Sequence, residues 1–133
     1  MESLQPLEKP AITHTQLVRY AGASGDFNPI HTVVPVGEKA GLGGVIAHGM
    51  LVMGFAGQAL GQWFPRQNLR HFKVRFSKMT RPGEKLTVNG TIKEKIEQDG
   101  EKRLIGELKV TNETGEVKLS GQFVVKASEM NSI

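Results

Sequence analysis

From Gly49 to Gln62 the chain sets Met50, Leu51, Met53, Phe55 and Leu60 among the small residues Gly54, Ala56, Gly57 and Ala59, with no charged residue in the run. At helical spacing these side chains leave almost no polar face, and a helix that is apolar all round must be buried. The run is shorter than the roughly 20 apolar residues that span a bilayer. Its cover therefore has to come from the rest of the chain.

The chain beyond residue 66 supplies that cover. Between Leu69 and Met79, Phe72, Val74 and Phe76 alternate with His71, Lys73, Arg75 and Ser77, the two-residue period of a half-buried strand. Pro82-Gly83 marks a turn, after which Leu86, Val88 and Ile92 alternate with Thr87, Asn89 and Thr91. Asp99-Gly100 is a hairpin signal. Leu104, Leu108 and Val110 continue the alternation, and Asn112 to Gly115 turns the chain again. Val117, Leu119, Phe123 and Val125 then oppose Lys118, Ser120, Gln122, Val124 and Lys126 in a fourth long strand. The result is an antiparallel meander with one apolar face, and a sheet of that kind needs a second layer to cover it. The expected class is α+β, an antiparallel β-sheet wrapped around a central apolar α-helix.

Ahead of that helix, Thr13 caps a short helix over Gln16 to Ala21, ended by Gly22 and Gly25. Pro35 suits the first position of another, running to Ala40 and closed by Gly41, Gly43 and Gly44. No Ser-rich or charged linker separates the halves, so residues 1–133 are expected to form a single domain.

Composition narrows the partners. A formal charge of +4 makes nucleic acid the first to consider. The lysines and arginines, however, are scattered among acids from Arg66 to Lys126 rather than gathered into one basic patch. No window approaches a membrane span, and residues 1–10 lack the apolar core of a secretion signal. Cysteine is absent, which excludes disulfides and thiolate metal sites. The expected setting is cytoplasmic, with neither nucleic acid nor membrane as partner.

The chemistry is concentrated in two short strings. Ser24-Gly25-Asp26-Phe27-Asn28-Pro29-Ile30-His31 puts a carboxylate and an imidazole five residues apart in turn-forming sequence, and His48-Gly49-Met50 opens the apolar helix. A carboxylate, an imidazole and a helix N-terminus are the parts needed to activate water, move a proton and hold a developing oxyanion. Gly-Asp-x-Asn-Pro is also what an ordinary turn requires, so residue types alone leave both readings open.

Tyr20, the string Ser24-Gly25-Asp26-x-Asn28-Pro29-x-His31 and the string Val45-Ile46-Ala47-His48-Gly49-Met50 together resemble the MaoC-like, or (R)-specific enoyl-CoA hydratase, family. Phe72-Lys73-Val74-Arg75-Phe76 and Arg81-Pro82-Gly83-Glu84 extend the similarity over nearly the whole chain. The resemblance implies the hot-dog fold and a place in fatty acid metabolism. It implies a lyase that hydrates trans-2-enoyl thioesters, or dehydrates (R)-3-hydroxyacyl thioesters, carried on coenzyme A or acyl carrier protein. It also implies a homodimer or higher homo-oligomer.

Carried over by position, Asp26 and His31 would be the catalytic pair, with Asn28 in support and the backbone N–H of Gly49 as oxyanion donor. No cofactor is expected beyond the coenzyme A or carrier protein of the substrate. A metal on Asp26, His31 and His48 is weighed and set aside, because no spacing here resembles a zinc motif. Met50, Met53 and Phe55 are candidates to line the acyl chain, although such residues on a central helix also simply fill a core. Arg75, with Lys73, Lys78 and Arg81, is a candidate for coenzyme A phosphates, against a solvated basic face. His48 is expected to cap or pack at the helix start, and His14 and His71 to be solvated.

Two departures from the family pattern stand out. Thr32-Val33-Val34-Pro35 follows His31 where many members carry an acidic residue. The segment before Thr13 is short, so a first strand must come from about Leu4 to Ile12 or be reduced. Two other functions compete on the same fold, a non-catalytic acyl-thioester-binding module and a thioesterase.

Overall fold

A computed structural model describes residues 2–127. In chain order the elements are β1 (Glu2–Ser3), β2 (Leu7–Glu8), α1 (His14–Ser24), α2 (Val34–Lys39), α3 (Gly49–Trp63), β3 (Leu69–Phe76), β4 (Thr87–Gln98), β5 (Glu101–Thr111) and β6 (Val117–Lys126). Single 3-10 turns lie at Pro29–His31 and Arg66–Asn68. The strands form one antiparallel sheet in the order β1-β4-β5-β6-β3, with β2 also on β4.

The central helix lies against the apolar face of this sheet, as its composition requires. Leu51, Val52, Phe55, Ala56, Ala59 and Leu60 of α3 join Val88, Leu104, Leu108, Val110, Leu119, Phe123 and Val125 in one buried cluster. Each large side chain buried in this way contributes about 1.5–3 kcal/mol. Burial on every face is not what the structure shows. Met50 is 59% exposed, and Gly54, Gly57, Gln58 and Gly61 are exposed beside it. A single sheet covers only one side of a helix, and glycines on the other side leave little apolar surface to hide. That side borders a groove of about 630 Å³, whose walls include Leu60, Phe64 and Phe72.

The strand boundaries differ from expectation for local reasons. β4 and β5 are longer than their alternation suggests, because a bulge between Ile92 and Glu94 shifts the register and hides the second half of β4. They meet at Asp99 and Gly100, whose positive φ angles of 53° and 73° make the expected tight hairpin. The N-terminal strand is the reduced one, two short pairings on β4 with the Leu4 N–H bonded to the Gly90 carbonyl at 2.9 Å between them. β3 stops at Phe76 because the next two N–H groups, of Ser77 and Lys78, both turn to the Lys118 carbonyl. α1 begins at its predicted Thr13 cap, where Oγ1 accepts the Gln16 N–H at 3.0 Å. It runs through Gly22 and ends at Gly25, which takes the left-handed φ of 78°.

Gly106 shows how tightly the layers meet. A Cβ there would lie 2.1 Å from Cζ of the fully buried Phe123. We expect Gly106→Ala to cost about 1–3 kcal/mol by displacing that ring. The reading is a lower urea midpoint at unchanged slope.

Candidate active site

The segment after α1 is wound by its own side chains. Ser24 Oγ accepts the Asp26 N–H at 3.1 Å, Asp26 Oδ1 accepts the Asn28 N–H at 3.2 Å, and Asn28 Oδ1 accepts the Ile30 N–H at 3.2 Å. Each bond closes a small turn of the kind these residue types favour, and Pro29 presets the backbone for the 3-10 turn that carries His31. Asn28 thus supports Asp26 through its backbone N–H, while its side chain caps the turn.

His31 is buried, and its Nδ1 bonds the Ile46 carbonyl at 2.8 Å. A carbonyl only accepts, so Nδ1 carries the hydrogen and Nε2 is left to act. Nε2 lies 4.0 Å from Asp26 Oδ2, whose side chain is 53% exposed. The buried imidazole and the wetter carboxylate therefore face one another across a gap slightly longer than a hydrogen bond.

His48 completes the cluster. Its ring is 2% exposed and stacks on His31 with centroids 3.8 Å apart and planes at 24°. Its Nε2 donates to the Asp26 carbonyl at 3.1 Å, and Tyr20 meets it edge-on at 4.8 Å. It occupies the cap position of α3 but makes no side-chain cap bond. Of the two expected roles, capping and packing, it takes packing.

Gly49 is the first residue of α3, where the leading N–H groups have no acceptor within the helix and the dipole is positive. A cavity of about 260 Å³ opens here, lined by His31, Gly49, Val52, Phe76, Met79 and Lys118 among others. A Cβ at Gly49 would sit 3.2 Å from the Phe76 ring, so glycine also spares the cavity wall.

The expected substrate-binding side chains lie elsewhere. Phe55 is in the core, Met53 packs against it, Met50 points to solvent from the outer face of α3, and Arg75 is exposed on β3 opposite Ser120. None of the four lines the cavity beside His31; Val52 is the α3 side chain that does. Arg81 is already engaged, its guanidinium on the Leu42 carbonyl at 3.0 and 3.3 Å. His14 is not simply solvated, since its Nε2 bonds the Thr32 carbonyl at 2.7 Å and ties α1 to the loop after His31. His71 is exposed on β3, as expected.

Lys118 is the residue that alternation misplaces. Its pattern put it on the solvent face of the last strand, yet its side chain is 2% exposed. The segment leaving β3 folds over the start of β6, and Nζ bonds Glu84 at 2.7 Å, Glu116 at 2.5 Å and the Met79 carbonyl at 2.8 Å. Burial alone would raise the Glu84 carboxyl. Hydrogen bonds from Lys118, the Arg81 N–H and Asn112 outweigh it and hold the group below the usual carboxylate range. Burial alone would likewise lower the Lys118 ammonium, but Glu116 and Glu84 hold it above its ordinary value. This lock fixes the cavity rim, where the Thr80 carbonyl accepts the Ala47 N–H at 2.7 Å just before α3.

Asp26, His31 and His48 each offer a ligand atom within 4.8 Å of the others. The ring geometry does not fit an ion. A metal sits about 2.0–2.1 Å from a ligating imidazole nitrogen. An ion shared by two rings stacked this closely would lie well out of both planes.

The sequence model of the MaoC like domain matches residues 2–114. The chain belongs to the MaoC-like family. Among its relatives, peroxisomal multifunctional enzyme type 2 of Mus musculus is 33% identical over 104 residues, covering 76% of this chain and 13% of its own length. The fatty acid synthase beta subunit pkiC of Emericella nidulans is 43% identical over 72 residues, covering 52% of this chain and 4% of its own. This MaoC-like chain spans between 4% and 28% of the length of five curated relatives that it matches. An unliganded R-hydratase from Pseudomonas aeruginosa superposes with a TM-score of 0.81 at 26% identity, over 97% of this chain and 83% of its own. The helix wrapped by a sheet is the hot-dog fold. Among the described residues no helix is long and apolar enough to cross a membrane.

Proposed function

We propose that this MaoC-like chain is a lyase that interconverts trans-2-enoyl and (R)-3-hydroxyacyl thioesters. One observation carries the reading: His31, whose Nε2 lies 4.0 Å from the Asp26 carboxylate, lines one cavity together with Gly49 at the start of α3. In the hydration direction, water held between Asp26 and His31 gives up a proton as its oxygen bonds the β-carbon. The electron pair of the double bond moves toward the thioester oxygen, which the Gly49 N–H and the helix dipole stabilise. The Asp26–His31 pair that took this proton then delivers it to the α-carbon, where the enolate electron pair forms the C–H bond and the thioester carbonyl is restored. Each step uses only groups already present, so the reaction needs no cofactor beyond the coenzyme A or acyl carrier protein that carries the substrate.

Crotonyl-CoA is the direct probe. We expect its conjugated-thioester absorbance to fall with enzyme and no free thiol to appear. Thiol release would instead make the protein a thioesterase, and inertness across several acyl lengths would make it a binding module.

The same reading includes a homodimer. Among the described residues β3 pairs only with β6 and presents a free edge, with Phe76 and Met79 exposed at its end beside the cavity. An unpaired strand edge is a ready template for pairing with a second copy of the chain about a two-fold axis. Light scattering is expected to give twice the 14.5 kDa chain mass. A monomer at assay concentration overturns this part.

A further inference from the structure

We infer that His48 is a positioning residue that holds the reacting imidazole, the Asp26 turn and the oxyanion donor in register. The inference rests on the hydratase reading. His31 is tethered at Nδ1 to the Ile46 carbonyl, and a single hydrogen bond leaves a ring free to pivot about it. The His48 ring, stacked 3.8 Å away and backed by Tyr20, removes that freedom. Its Nε2–H holds the Asp26 carbonyl, and so the chain segment that aims the carboxylate. Its own carbonyl accepts the Leu51 and Val52 N–H groups at 3.1 and 3.4 Å, the bonds that begin α3. The Gly49 N–H belongs to the peptide between these anchors. One residue thus touches all three parts of the proposed chemistry without lining the cavity.

Histidine is also a poor choice for any simpler purpose at this position. Ser, Thr, Asp or Asn would cap the helix, whereas His48 makes no cap bond. An apolar ring would fill the space without stranding a polar atom, whereas among the described residues the buried Nδ1 of His48 has no hydrogen-bond partner. Such local costs are retained where a functional arrangement needs them.

His48→Phe keeps a planar ring of similar bulk and loses the donor; His48→Gln keeps a donor and loses the stack. With crotonyl-CoA we expect each to lower kcat about 10- to 100-fold. KM should stay within about three-fold, and circular dichroism native-like. A folded His48→Phe protein with kcat within about two-fold of wild type overturns the inference, because filling the core would then be the whole role. If His48→Phe does not fold, His48→Gln decides by the same reading. A crystal structure of the folded variant needs no turnover and separates this question from the hydratase assignment. Displacement of the His31 ring from Asp26 by about 1 Å supports positioning, and an unmoved pair overturns it.

Discussion

Asp26→Asn and His31→Ala are each expected to slow hydration of crotonyl-CoA by about 10² to 10⁴-fold, the usual contribution of a proton-transferring side chain. The two substitutions differ in what they do to the fold. At position 26 an amide oxygen still accepts the Asn28 N–H, and the side chain is half in water, so the turn persists and the melting temperature stays close to wild type. At position 31 the ring is buried, stacked on His48 and bonded to Ile46. Removing it leaves that carbonyl without its partner and adds a destabilisation of about 1–3 kcal/mol. Steady-state kinetics beside a thermal melt distinguishes the two effects. Full turnover in either folded variant removes that group from the chemistry.

Lys118→Met is expected to be the most destabilising single change outside the apolar core. Removing one partner of a buried ion pair costs about 3–5 kcal/mol because the other charge is left unpaired. Here Glu84 is partly exposed and Glu116 half exposed, so the orphaned carboxylates gain some water and the low end, about 3 kcal/mol, applies. For a chain of this length that is a fall of about 10 °C in melting temperature. Adding Glu84→Gln to Lys118→Met should restore part of the loss, since it neutralises a stranded charge. No recovery in the double variant would mean that the loss comes from packing alone.

The pH dependence of the lock is set by the two directions of shift. Glu84 is held below its ordinary value of 4.5, so its contribution is complete above that pH and disappears as pH falls through the lower folded value. Lys118 is held above 10.5, so its contribution is complete below that pH and is lost as pH rises through the higher folded value. Stability from this contact should therefore form a plateau between these limits. In Lys118→Met the acid shoulder should weaken in melts collected from pH 3 to 6.

The sequence was most legible where one residue type has one physical use. The uncharged run at 49–62 demanded a cover, the Asp99-Gly100 and Asn112 to Gly115 turns demanded reversals, and the sheet is their consequence. The turn from Ser24 to His31 was legible for a related reason: Ser24, Asp26 and Asn28 each fold the chain onto a neighbour two residues on, so its shape is local. What stayed hidden depends on distant partners. Lys118 reads as a solvent-facing strand lysine until Glu84 and Met79, far away in the chain, close over it. The cavity lining escaped because apolar residues on α3 look alike in sequence, and only the sheet's position decides that Val52 turns to the cavity while Met50 turns to water. His48 was placed at the helix start correctly, but nothing in one dimension says that two rings seventeen positions apart will lie face to face.

The hydrogen bond from His31 to residue 46 ends on a main-chain oxygen, not on a side chain. Every amino acid carries that oxygen, so substitutions at position 46 can reshape the neighbourhood without changing which edge of the imidazole is offered to a reactant. The tether that orients the ring is thereby insulated from side-chain replacement at that position, and under the proposed hydratase function the surrounding walls are left free to drift toward longer, shorter or branched acyl groups.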